Sequence, residues 1–116
     1  MGENILKDKS YAFALRVVKL YRYLCEEHEY VLSKQMIRSG TAVEALVSEA
    51  EFAQSKADFI SKLSIAPKEF NETLYWFSLL KDSEYSEYID EKMFQSIKPD
   101  IEELIKLLVT SIKTAK

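Results

Sequence analysis

One cysteine, two glycines, two prolines and a single histidine are all that 116 residues hold of those types. With Cys25 alone no intrachain disulfide can form, so packing must hold the fold. Two glycines are too few for a hairpin-rich protein, because tight β-turns need positive φ; long helices joined by few turns are expected instead. His28 is preceded three residues earlier by Cys25, and that pair supplies two metal ligands at most. Di-iron bundles require Glu-x-x-His pairs on two helices, so no metal or cofactor is expected. No Gly-rich phosphate loop is present either.

Long apolar runs are also missing. No stretch of about 18 apolar residues exists to span a bilayer, and the N-terminus lacks the apolar core of a secretory leader. The expected setting is cytoplasmic, with no membrane partner and no evident small-molecule substrate. A clear basic excess is absent too: 16 Lys and Arg against 19 Asp and Glu leave a net charge of −3, which argues against a generic polyanion binder. What is present is ordinary for a globular chain, 47% apolar and 30% charged. This length fits one domain, residues 1–116, and buries roughly two-thirds of the unfolded surface.

Apolar spacing predicts four helices. Over residues 8–27, Ala14, Val17, Val18, Tyr21, Leu24 and Cys25 form a stripe that Phe13 and Leu20 widen. Over 32–52, Leu32, Met36, Ser39, Val43, Leu46, Ala50 and Ala53 keep a 3-4 alternation. A third helix starts at Ser55, which with Asp58 resembles a capping box; Ile60, Leu63, Pro67, Phe70, Leu74 and Phe77 follow. The fourth covers about 90–113, with Phe94, Ile97, Ile101, Leu104, Leu108 and Ile112 inward. Short connections at 28–31 and 53–55 make consecutive helices antiparallel. The expected fold is therefore an all-α, up-down four-helix bundle. Pairing helices two and three sets Ser39 near Phe70, so the small Ser39–Gly40 patch should receive that ring. Residues 82–89 form the one sizeable loop. Pro67 should kink helix three; Pro99 either kinks helix four or opens a new helix, and the kink is the expected form.

Three constellations are candidates for function. Arg16, Lys19, Arg22, Lys34 and Arg38 form a candidate basic surface for RNA or a partner, with Tyr11 and Tyr23 as stacking groups; the plain alternative is a solvated charged face. Arg22 and His28 fit the Arg-x4–6-His spacing of certain helical ribonucleases, a spacing that also arises often by chance. Ile65, Trp76 and Leu79 fall on a second face of helix three, and Ile37 and Phe52 lie off the core stripe of helix two. Apolar residues outside the core mark contacts with another chain, so self-association is expected through these five.

The run Leu32-Ser33-Lys34-Gln35-Met36-Ile37-Arg38-Ser39-Gly40-Thr41 resembles the helix-two signature of the four-helix-bundle proteins named after 23S rRNA intervening sequences. The match continues through Glu49-Ala50, then Ala53-Gln54-Ser55-Lys56-Ala57-Asp58-Phe59-Ile60-Ser61-Lys62-Leu63, and through Ile65-Ala66, Lys68-Glu69, Glu72-Thr73 and Tyr75-Trp76. The resemblance implies an up-down bundle that assembles as a homo-oligomer, a pentameric ring; with no catalytic constellation in the residues, a non-enzymatic role is expected. It also implies an RNA or ribonucleoprotein partner, since a relative, the accessory variability protein of diversity-generating retroelements, contacts a reverse transcriptase and nucleic acid through a basic surface. Glu44, Leu46 and Pro67 depart from the pattern, standing for a usual small residue, a frequent Asn and a usual aliphatic. The matched Gln35, Arg38, Asp58, Lys62, Glu69 and Glu72 read as an interhelical polar network, with Arg38 close to Asn71 and Glu72. The alternative function is a helical ribonuclease using Arg22 and His28.

Overall fold

In the computed structural model the chain forms α1 (Gly2–Glu26), α2 (Val31–Glu51), α3 (Lys56–Asp82) and α4 (Glu91–Ala115). The structure describes residues 2–83 and 89–116, and among these there is no strand. Most of the loop expected at 82–89 lies outside the described residues. Cross-contacts fix an up-down order. Lys7 meets Glu51 and Lys62 meets Glu49, while Lys81 meets Glu91 and Lys9 meets Glu103. Every neighbouring pair is thus antiparallel, and α4 closes back onto α1.

Each start has a chemical cause. The Ser55 hydroxyl accepts from the Asp58 amide at 3.0 Å, as the capping box requires. The Asp58 carboxylate accepts from Gln54 N rather than from the cap residue itself. At α4, Asp90 Oδ1 accepts from Met93 N at 2.9 Å. Because α4 is already under way at Glu91, Pro99 does not open a helix; both prolines lie inside unbroken elements.

The α1–α2 turn is built differently, and spacing alone does not reveal it. His28 has φ 67°, the left-handed position that ends a helix. Its amide donates to Cys25 O and that of Glu29 to Leu24 O, the paired bonds of a Schellman motif. Glu29, only 3% exposed, then starts α2. Its carboxylate accepts from the amides of Val31, Leu32 and Ser33 at 3.3, 3.2 and 2.6 Å. A buried carboxyl group is tolerated because three amide donors at the positive end of a helix surround it.

Core placement on α1 follows expectation in part. The expected Phe13, Ala14, Val17, Leu20 and Leu24 are buried, with Leu6 and Ser10 added, whereas Val18, Tyr21 and Cys25 are half-buried. The helix also begins earlier, carrying Leu6 into the core. The stripe was drawn too wide on one flank because α1 is apolar on its outer side as well: Ile5, Tyr11, Leu15 and Tyr23 are 40–56% exposed, which blurs the centre that periodicity gives. On α4 the expected line holds, with Ile112 partly covered.

The small patch on α2 also has a different occupant. Ser39 meets Thr73, hydroxyl to hydroxyl at 2.8 Å, one turn beyond Phe70. The Phe70 ring packs edge-on against Phe13 of α1, centroids 5.5 Å apart. Gly40 takes Val17 instead: a Cβ on Gly40 would lie 2.8 Å from Val17 Cγ1, 3.0 Å from Cγ2 and 3.3 Å from Cβ.

Both the Gly40 contact and the α1–α2 turn can be tested by substitution. Alanine at position 40 gains about 1 kcal/mol of helix propensity. It must displace a β-branched side chain whose χ1 is fixed in a helix, so we expect Gly40→Ala to destabilise by about 1–2 kcal/mol net. Urea unfolding should show this, and Val17→Ala should cost less in the Gly40→Ala background than alone. At the turn, His28→Gly relieves a left-handed side chain and should raise stability by about 0.5–1 kcal/mol. Glu29→Ala orphans three amides and should lower it by about 2 kcal/mol.

Candidate interaction surfaces

The α2–α3 seam carries a polar cluster over a buried hydroxyl pair. Arg38 Nη2 donates to Glu72 Oε2 at 2.6 Å, Nη1 lies 3.5 Å from Glu69 Oε2, and Nε points at Gln35 Oε1 at 3.5 Å. Lys62 faces Glu49 at 3.6 Å, and Asp58 serves the cap. The matched polar residues therefore act between or at the ends of α2 and α3. Arg38 takes Glu69 with Glu72, and Asn71 is exposed. Glu69 is the most committed member: its side chain is 16% exposed, and Oε2 has no hydrogen-bond donor, only the Arg38 charge.

Beside this cluster α3 carries its second apolar face. Ile65 is 46% exposed and Tyr75 57%. Trp76 and Leu79 are half-buried, with Trp76 resting on the core and Tyr75 edge-on to it at 5.1 Å. The Trp76 Nε1 donor is buried without an acceptor. The other two expected interface residues are not part of this face. Phe52 ends α2 and is 79% exposed at the α2–α3 turn. Ile37 packs half-buried against the core, one turn before Gly40, on the flank turned to α1.

The five expected basic residues do not form one surface. Arg16 is on the α4 side of α1, where Nη1 reaches Asp100 at 2.9 Å and Nη2 reaches Ser96 Oγ at 2.6 Å. Arg38 is held on the α2–α3 seam, across the bundle. The reason is geometric: α1 lies between α2 and α4, and Arg16 is on the flank away from α2. Lys19, Arg22 and Lys34 are exposed and form no ion pair among the described residues. Tyr11 and Tyr23 are 56% and 40% exposed.

The Arg22–His28 pair is likewise divided by function. His28 holds the left-handed cap of α1, and its Nδ1 lies 3.0 Å from the Tyr30 hydroxyl. Arg22 is exposed on α1, with no contact to that ring. No group of three or more metal-ligating side chains occurs among the described residues, and no described helix is long and apolar enough to cross a membrane.

Electrostatics mark where the bundle is closed by charge. Hydrogen bonding and attraction from Glu103 raise the Lys9 pKa above its ordinary value. Glu91 is held below the usual carboxylate value by the Gln95 amide and then by Lys81, and Lys81 is raised in turn, chiefly by its bond to Glu91. A hydrogen bond to Cys25 raises the Tyr21 phenol. The outer apolar side of α1 and the Glu29 cap are the features that spacing analysis missed. Ile5, Ala12 and Leu15, seven and ten positions along one helix, carried the signal for the first.

Residues 3–110 match the family model of the 23S rRNA-intervening sequence protein. A crystal structure of a protein of unknown function from the S23 ribosomal protein family of Bacteroides thetaiotaomicron is 52% identical to this chain. It covers 97% of this chain and 99% of its own, with a TM-score of 0.90. The comparison with curated proteins finds no match. With almost its whole length matched by one family model and by a structure of the same helical order, the chain belongs to the 23S rRNA-intervening sequence protein family.

Proposed function

We propose that the protein is a non-enzymatic interaction module that assembles with copies of itself, as a pentameric ring in the form the resemblance implies, and that works in the cytoplasm. The observation that carries this reading is the outer face of α3. There Ile65, Tyr75, Trp76 and Leu79 adjoin the Arg38–Glu69–Glu72 cluster. Trp, Tyr and Arg dominate interface energetics when surrounded by lesser apolar contacts, and an apolar face of this kind has no use in an isolated protomer.

An RNA or ribonucleoprotein partner is part of the proposal in a restricted form. Of the five basic residues, Arg16 and Arg38 are neutralised inside the protomer, which leaves Lys19, Arg22 and Lys34. Three cations bind phosphate weakly. An assembly multiplies them, and avidity then replaces affinity.

Light scattering at micromolar concentration should give a multiple of 13.5 kDa. Ile65→Glu with Tyr75→Glu, both at exposed positions, should return the mass to one chain without loss of helix content. A monomeric wild type would end the assembly reading. For the partner, RNA affinity should fall with salt, with a log–log slope shallower than about −3 per protomer engaged, and Lys19→Gln with Arg22→Gln should flatten it. No binding at low salt would leave a protein partner. RNA cleavage that His28→Ala or Arg22→Ala abolishes would overturn the non-enzymatic reading.

A further inference from the structure

The α1–α4 seam, where neighbouring helices touch least, holds two clefts divided by Arg16. Their chemistry differs. The first, about 280 Å³, is lined by Lys9, Phe13, Arg16, Asp100 and Glu103 among others. Its cations are already neutralised, Lys9 by Glu103 at 2.6 Å and Arg16 by Asp100 at 2.9 Å. The second, about 360 Å³, is lined by Arg16, Lys19, Leu20, Tyr23, Met93 and Ile97, with no carboxylate among the described residues that line it. Leu20 and Ile97 are 8% and 2% exposed and, with half-buried Met93, make an apolar floor. Lys19 stands on the rim, exposed, with no ion pair among the described residues.

We propose that this second cleft binds a small amphiphilic anion, an alkyl carboxylate whose chain lies on Leu20, Met93 and Ile97 and whose charge meets Lys19. Charge complementarity selects the class. An inorganic anion would leave the floor uncovered, and a neutral apolar molecule would leave the Lys19 charge unanswered at its edge. A volume of 360 Å³ is at the small end of ligand sites, which favours a short chain. The same chemistry could come from a free acid or from lipid at a membrane surface, and the free acid is the source proposed. The site is across the bundle from the α2–α3 face, so it stands or falls independently of self-assembly.

The test is an amide-shift NMR titration of the full chain with hexanoate, octanoate and decanoate, each below its micellar concentration. Saturable shifts should concentrate at Lys19–Tyr23 and Met93–Ile97. Affinity should rise about two- to fourfold per added methylene until the floor is covered, and then level. Octanol should bind about threefold or more weakly than octanoate; Lys19→Gln should lose the same factor and Lys19→Glu more. Met93→Trp should fill the cleft and abolish saturation. Octanol binding as well as octanoate would overturn the proposal, and because that comparison needs no variant it decides even if Met93→Trp fails to fold. Shifts scattered over the surface would overturn it too, as would binding to phosphatidylglycerol vesicles with none to octanoate.

Discussion

An absent methyl group sets the geometry of this bundle. Gly40 lets Val17 approach α2 so closely that a Cβ there would overlap both Val17 methyls. Gly in a helix interior costs about 1 kcal/mol relative to Ala, and the return is the depth to which α1 seats. That depth brings Phe13 edge-on to Phe70 and fixes the line from Leu6 to Leu24 against the core. It also decides which flank of α1 faces α4, and so places Arg16 on Asp100 and Ser96, on the far side of the bundle from Arg38.

Helix number, order and most inward faces were legible in the sequence: on α2 and α4 the apolar positions favour one sector, and on α3 Leu63, Phe70 and Phe77 keep the inward line beside a second apolar face. Ser55 with Asp58 was readable as a start because its chemistry is local. On α1 the expected Phe13, Ala14, Val17, Leu20 and Leu24 are core, but the outer apolar side of Ile5, Leu15 and Tyr23 was not legible. Nor was the α1–α2 turn, where the usual glycine is replaced by His28 and the usual short cap by Glu29 reaching forward to Ser33. The pairing of α2 with α3 was legible where Arg38 meets Glu72, but the partner of Ser39 is a hydroxyl, Thr73, which apolar spacing does not point to. The dispersed basic surface failed for a related reason: position along a helix says little about which seam a long side chain enters.

These placements change what the surface can do. Charges that count towards a polyanion site in the sequence are consumed in closing the seams, Arg16 and Lys9 on α4 and Arg38 on α3. Such exposed pairs contribute little stability each, yet they remove cations from any partner's reach. Exposed apolar side chains remain on α3, at Ile65 and Tyr75, and on α1, at Ile5, Tyr11, Leu15 and Tyr23. Of the five cations read as one surface, Lys19, Arg22 and Lys34 stay outside these seams.

Trp76 is the only tryptophan in the chain and sits within the face assigned to self-assembly. Its fluorescence therefore reports on that face directly. As protein concentration rises from nanomolar to micromolar, emission should shift to the blue and acrylamide quenching should fall, both effects being lost in the Ile65→Glu, Tyr75→Glu variant. Emission and quenching that do not change with concentration, in a protein whose mass stays at one chain, would contradict self-assembly through that face.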